Sequence, residues 1–332
     1  MKNSNGNAIR RMLARTEFSV LLAVLILGCI FSVFSGNFLS AYNIYTLSRT
    51  AALYVFIALS QSMVMIVGGM NLSLGYIGGM TVVAIGHTLQ NMGLPIPLAL
   101  LVGLLLGLVA GGINGLVITR LKINSFVATL ATSFIYKGLI TGISEGFPYT
   151  EIPKSFTSLG RGKFLGLPYM LYIAVLALIL IWYFFRFTVT GRRVLATGGN
   201  LQAARMAAVD TDSTIIVANV LSGLFAAVAG ICSVSMNGAA QPTTGTDWMI
   251  YSFAVSVIGC TALSGGVIRP LGILISAYLI VMIKNGLVML DANIYYEQTY
   301  LGLILLLAVS LDSLSGMFRE FKRRRRFLQA DK

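Results

Sequence analysis

The chain has 332 residues, 57% hydrophobic and 11% charged, with a mean hydropathy of +0.84. Soluble domains carry about 25% charged residues, and a chain of this size cannot hide so much apolar surface in an aqueous core. The net charge of +13 does not indicate nucleic acid, because the basic residues stand between or beyond apolar runs, where membrane topology collects them.

Runs close to the roughly 20 residues of a spanning helix recur at 18–34, 50–67, 73–89, 96–118, 125–143, 168–187, 214–236, 246–263, 271–290 and 298–316. They predict an all-α polytopic membrane protein of about ten transmembrane helices. A basic N-terminus (1–17) precedes one transmembrane domain (18–316), and a basic tail (317–332) follows it. The short alternating segments of a β-barrel do not occur. Arg10, Arg11 and Arg15 precede the first run, but bulky Phe34 and Phe38 flank its end and no small-residue cleavage site follows. The first run is therefore expected to stay as a spanning helix. With the N-terminus inside, the cytoplasmic segments and adjoining span ends hold 18 of the 24 Lys and Arg. Both termini are then cytoplasmic, and the run Lys322–Arg326 can also meet anionic membrane lipid.

Within the second and third runs, VMIVGGMNLSLGYI (64–77) aligns without gaps on VSVIGCTALSGGVI (255–268). Duplicated, glycine-interrupted membrane segments point to a transport pathway. Glycines let the backbone leave helical geometry, which is tolerated at membrane depth only beside protein or a water-filled cavity. By span count the two stretches lie on the same side, implying parallel repeats unless one short run is re-entrant.

Lone Ser and Thr in spans usually bond the preceding turn or a neighbouring helix. Asn and Gln cost more to bury and more often line a cavity or a helix contact. Candidate pathway residues are Gln61, Asn71, Ser73, Thr129, Ser133 and Ser264. Neutral amides and hydroxyls suit an uncharged, polyhydroxylated solute. Lys137 and Lys284, the embedded cations, are expected to snorkel or pack. Cys29, Cys232 and Cys260 read as packing residues, and the single histidine, His87, makes no metal site.

Residues 191–210, GRRVLATGGNLQAARMAAVD, interrupt the apolar pattern on the cytoplasmic side. Gly198 and Gly199 are expected to turn the chain and Asn200 to cap a short helix over 200–208. Such a helix serves equally as an interfacial anchor or as a docking piece, and residue chemistry alone does not choose.

No G-x-x-x-x-G-K-[ST] or H-E-x-x-H occurs, and neither a nucleotide site nor a catalytic, metal or cofactor site is expected. Carboxylates are nearly absent from the spans, which disfavours an ion-coupled secondary carrier. The engine is expected to be another chain.

GGMNLSLG (68–75), GLVITRLKINSFVATLATSFIYKG (115–138), the 191–210 segment, LSGLFAAVAGI (221–231), AQPTTG (240–245) and NGLVML (285–290) share one pattern. Together, in this order, the chain resembles the permease subunits of bacterial ATP-binding-cassette importers for ribose and related monosaccharides. The resemblance implies a permease dimer of identical or related chains in the inner membrane. It also implies a cytoplasmic pair of ATPase subunits and a periplasmic sugar-binding protein. Gly199, Asn200, Ala203, Ala204 and Arg205 then match the family's coupling segment, with Arg192, Arg193 and Arg205 available to acidic groups of the ATPase. Three positions depart from the usual pattern: Asn71 stands for Asp, Gly259-Cys260 for Gly-Gly, and Ala208-Val209 for Gly-Ile. Relatives that carry branched-chain amino acids or a furanosyl signalling molecule are the alternatives.

Overall fold

The computed structural model describes residues 16–259, 261 and 265–290, with 296, 298–300, 302, 303 and 306 beyond them. The chain forms two compact units, one running to Ile283 and one from Lys284 onward. In chain order the helices are α1 (Thr16–Phe34), α2 (Ala41–Ile66), α3 (Leu74–Gln90), α4 (Ile96–Arg120), α5 (Ser125–Ser144) and a short α6 (Lys154–Arg161). A two-residue antiparallel hairpin, β1 (Lys163–Phe164) and β2 (Leu167–Pro168), leads into α7 (Tyr169–Phe187). Then follow α8 (Val189–Gly199), α9 (Leu201–Met206), α10 (Thr211–Asn237), α11 (Trp248–Ile258) and α12 (Pro270–Met289).

The first nine predicted runs each coincide with a helix. Six helices (α2, α4, α5, α7, α10 and α12) are long and apolar enough to cross a membrane; Phe18–Phe34 and α11 are shorter apolar helices. Two boundaries move. α2 starts at Ala41 rather than near residue 50, because Ser40 accepts the amide of Asn43 and caps it there. α11 stops at Ile258, inside the predicted 246–263 run, and the chain leaves helical geometry at Gly259. The last predicted run, 298–316, and the basic run Lys322–Arg326 lie wholly or largely outside the described residues.

α2 is the innermost helix: 83% of its most apolar stretch is buried, against 28% in α4 and in α7. The outer helices turn Leu, Ile and aromatic side chains outward, as a lipid solvent permits. α10 crosses α4 at very close range. A side chain on Gly107 or Gly111 of α4 would strike the Gly223 or Asn219 carbonyl of α10, the small-residue packing that joins helices in lipid. Asp210 caps α10 by accepting the Ser213 amide at 3.1 Å. The Ser213 hydroxyl and amide hold its carboxyl below the usual aspartate range. The cap is therefore fully charged at neutral pH, and its contribution is lost only as pH falls through that lowered value.

Buried hydroxyls and cysteine behave as packing groups. Cys232 is buried in α10 and Cys29 is exposed on α1, whereas Cys260 lies outside the described residues. His87, in the last turn of α3, packs edge-on against Tyr149, with Nδ1 3.3 Å from its hydroxyl. Lys137 is exposed on α5.

Candidate functional site

The GGMNLSLG stretch is a break between two helices. α2 ends at Ile66, Gly68 takes φ 76°, and α3 begins at Leu74. A non-helical segment among spanning helices must have its amides satisfied by protein. Here the Gly69 amide donates to Val64 O (3.0 Å), Met70 N to Ser125 Oγ (3.1 Å), Leu72 N to Thr129 Oγ1 (3.1 Å) and Ser73 N to Asn71 Oδ1 (2.9 Å).

Asn71 and Ser73 are fully buried, and they belong to one continuous chain of neutral hydrogen bonds. Ser60 on α2 donates to Ser222 O on α10 at 2.8 Å, and Asn71 Nδ2 donates to Ser222 Oγ at 2.9 Å. The Ser73 hydroxyl donates to Asn71 Oδ1 at 2.9 Å and accepts Asn114 Nδ2 of α4 at 2.8 Å. Thr132 of α5 donates to Asn114 Oδ1 at 2.7 Å. Four helices are thus pinned to the break by groups that satisfy one another, which low dielectric makes rigid. Ser60, Ser222, Asn114 and Thr132 are members that the candidate pathway residues did not include. Asn114 was the legible one, an amide standing in an otherwise apolar, Gly-rich run.

The other candidates separate. Thr129 joins the break, donating to Ser125 O at 2.7 Å while accepting Leu72 N. Ser133 only returns its hydroxyl to Leu130 O at 2.6 Å, within its own helix. Ser264 lies outside the described residues. Gln61 is fully buried, and among the described residues neither its Oε1 nor its Nε2 has a hydrogen-bond partner. It stands between Ser60 and Ser62, and Ser62 reaches the other break: its hydroxyl donates to Ser256 Oγ on α11 (3.0 Å) and lies 3.2 Å from Thr261 Oγ1.

That second break, after α11, contains Gly265 at φ 87° and Gly266 at φ 76°. It meets the first directly, because the Gly266 amide donates to Ile66 O at 2.8 Å. The end of α8 closes the same junction. A methyl on Gly198 would be driven into the Ile66 carbonyl and would lie 2.7 Å from Gly266 N. One on Gly265 would stand 2.6 Å from Gly198 O and 3.1 Å from Gly68 N. Three backbones converge where no side chain fits.

Gly198 and Gly199 were expected to form a turn; instead they end α8 as helix, and the redirection falls on Asn200. Asn200 Oδ1 accepts Ala203 N at 2.9 Å and starts α9, as a cap should. Ala204 is buried, whereas Gly199, Asn200 and Ala203 are exposed. Arg205 turns back into its own chain: Nε donates to Thr211 Oγ1 at 3.0 Å, and Nη2 stands 3.6 Å from Asp212 Oδ1. Met206 is the outward-facing residue, 90% exposed. Ala208 takes φ 56°, a left-handed conformation that costs an L-residue about 1 kcal/mol or more. The resemblance places glycine at this position.

The family model for the branched-chain amino acid transport system / permease component matches residues 43–309. The chain belongs to this permease family. It is 32% identical over 321 residues to the ribose import permease protein RbsC of Haemophilus influenzae, covering 95% of this chain and 98% of that protein. The RbsC of Bacillus subtilis is 36% identical over 293 residues, 88% of this chain and 91% of that protein. The autoinducer 2 import system permease protein LsrC of Photorhabdus luminescens is 32% identical over 297 residues, 89% of each. No solved structure matches.

The permease is a multi-pass membrane protein, and the expected resemblance to ribose-type permeases holds over most of its length. Ala208→Gly in this permease is expected to raise its midpoint of thermal unfolding in detergent, reflecting a gain of about 0.5–1 kcal/mol. An unchanged or lower midpoint would show that the left-handed residue is not strained.

Proposed function

We propose that the chain is the translocating subunit of an ATP-binding-cassette importer for a small neutral sugar of the ribose, xylose, arabinose or galactose class. It would work in a bacterial inner membrane by alternating access, with hydrolysis in partner ATPase chains and solute delivered by a periplasmic binding protein. A second permease chain, identical or related, completes the pathway. The observation that carries the reading is the three-way glycine junction. The 191–210 segment, cytoplasmic in this reading, brings its Gly198 and Gly199 backbone against both helix breaks, so displacing it moves both breaks together.

In this reading Gly199, Asn200, Ala203, Ala204 and Arg205 form the docking piece, with Ala204 as its inner anchor. Met206 joins them as an apolar contact for the ATPase. Arg205 shapes the segment by bonding Thr211 and Asp212 and keeps an exposed edge for an acidic partner. Asn71, Ser73 and Thr129 hold the first break, while Gln61 meets the solute. An amide pair without partners in a sealed core is costly here, and a sugar hydroxyl can supply both bonds when the pathway opens. The similarity to an autoinducer 2 permease favours a second cargo, a small furanosyl-type solute of the same polarity.

The test is ATP-dependent uptake of labelled ribose, xylose, arabinose and galactose into vesicles holding the permease with its ATPase and binding protein. Wild type is run beside Arg205→Glu and Gln61→Leu. Saturable uptake of one sugar, lost with ATPase attachment in Arg205→Glu, supports the reading. Uptake that persists without the ATPase would sink it and revive a secondary carrier. Gln61→Leu is expected to unfold no more easily than wild type, since it removes an unpaired buried amide, yet to cut uptake about tenfold or more. Normal uptake by that variant would remove Gln61 from the pathway.

A further inference from the structure

Beside the second break and the coupling segment, a groove opens on the face where α7 meets the start of α12. Its upper part, about 450 Å³, is walled by Val175, Leu178 and Ile179 of α7 and by Leu271 and Leu274 of α12, with Arg269 at its edge. It continues into a second space of about 380 Å³ lined by Arg186, Arg192, Leu195 and Val267. Trp182, Ile268 and Pro270 line both parts, so the two are one groove. One end is apolar over a length of helix; the other is basic.

No Asp or Glu lines either part. Among the described residues, neither Arg186 nor Arg192 has an ion-pair partner. Trp182 stands at the boundary between the apolar and basic parts, and it belongs to an aromatic cluster in which the rings of Trp182 and Tyr183 lie 5.5 Å and 5.1 Å from that of Phe187. Such aromatic clusters mark the headgroup level of a membrane. A hydrocarbon slot, an interfacial tryptophan and two arginines in sequence along one groove match an acyl chain, a glycerol backbone and a phosphate.

We infer that this groove binds one anionic phospholipid, with an acyl chain between α7 and α12 and its phosphate held by Arg186 and Arg192. Arginine suits the role because its planar donors pair with phosphate oxygens two at a time. The headgroup would rest against Leu195 of the coupling segment and Gly266 of the second break. The lipid thereby fills the seam beside the glycine junction, at the membrane interface where the ATPase is proposed to dock.

The experiment uses the chain's own fluorescence. It has two tryptophans; Trp182 is 53% exposed and Trp248 only 7%. The full-length permease is placed in phosphatidylcholine nanodiscs, and a small fraction of lipid is replaced by phosphatidylglycerol brominated on its acyl chain. In a parallel series the bromine is on phosphatidylcholine, and Trp182→Phe serves as the blank. Brominated phosphatidylglycerol is expected to quench Trp182 at a mole fraction about fivefold or more below that needed with brominated phosphatidylcholine. Arg186→Gln with Arg192→Gln should erase this difference while leaving quenching by phosphatidylcholine intact.

If the double variant does not fold, wild type in about 1 M salt, where charges are screened beyond ~3 Å, should show the difference shrinking. Equal quenching by the two lipids overturns the proposal, as does a preference that survives in the double variant or, where that variant does not fold, in high salt. Loss of phosphatidylglycerol quenching on adding soluble glycerol phosphate would make the site one for free phosphate esters. No quenching by either lipid would mean that protein, from this chain or a second copy, covers the groove.

Discussion

Gly198→Ala is expected to cut sugar uptake about tenfold to a hundredfold while the permease still folds and still binds its ATPase. The added methyl has nowhere to go: it meets the Ile66 carbonyl on one side and the Gly266 amide on the other. Both are backbone, so no side chain can swing aside, and α8 must draw back from the junction. Overpacking of this kind costs about 1–3 kcal/mol, here charged against the contact that links the docking segment to both breaks. Coupling should fall about tenfold to a hundredfold. Gly199→Ala is the matched control, because a methyl there meets nothing within 4 Å. Uptake and ATP hydrolysis measured together decide the matter. Hydrolysis with little uptake in Gly198→Ala, beside normal coupling in Gly199→Ala, is the expected pair. Equal behaviour of the two variants would remove the junction from the mechanism.

Asn71→Leu should have the largest effect on stability of any single change at the site. Asn71 accepts from the Ser73 amide and hydroxyl and donates to Ser222, all in a fully buried setting. Leucine would strand those three partners and add bulk to a sealed space. The expected loss is about 3–5 kcal/mol, read as a lower unfolding temperature in detergent and weak membrane accumulation. Asn71→Asp is the informative companion. It keeps an acceptor for Ser73, and in its protonated form the carboxyl O–H can still donate to Ser222. The carboxylate form would be buried in the membrane, so it should be tolerated only with its proton retained. Wild-type stability in Asn71→Leu would show that the chain of hydrogen bonds is incidental.

The glycine and asparagine predictions differ in how far each was visible beforehand. Asn71, Ser73 and Thr129 stood out as polar residues around a Gly-rich interruption, and the structure does bring them together. Their candidate role was to line a path; the structure also makes them the fastening of the break, because their polar groups find protein partners. Gln61 was legible as costly to bury, but not as unpaired. Being unpaired depends on what α10, α11 and the two breaks offer, and those groups lie far away in sequence. Ser133, four residues from Thr129 and equally polar, makes only a local bond, since hydrogen-bonding capacity does not reveal which face a helix presents. Arg205 was expected to reach outward. Thr211 and Asp212, brought near by how the chain turns from α9 into α10, tie it to its own chain while its side chain stays 60% exposed beside Met206.

Hydropathy by itself determined the class of this protein. Backbone groups in lipid must be satisfied within each segment, so long apolar runs can only be helices, and their positions follow from the residues alone. The same holds for the capping role of Asn200, which needs only a side-chain oxygen within three residues of an amide. Where runs are interrupted, local chemistry identified the glycines but not what they are for. Only the tertiary structure decided that Gly198, Gly265 and Gly266 meet at Ile66, and that Ser60 is tied to the first break through Ser222 while Ser62 reaches Thr261 in the second. Contacts between residues as distant as 66 and 266 arise from packing three helices' ends against one another, and no spacing along the chain encodes that.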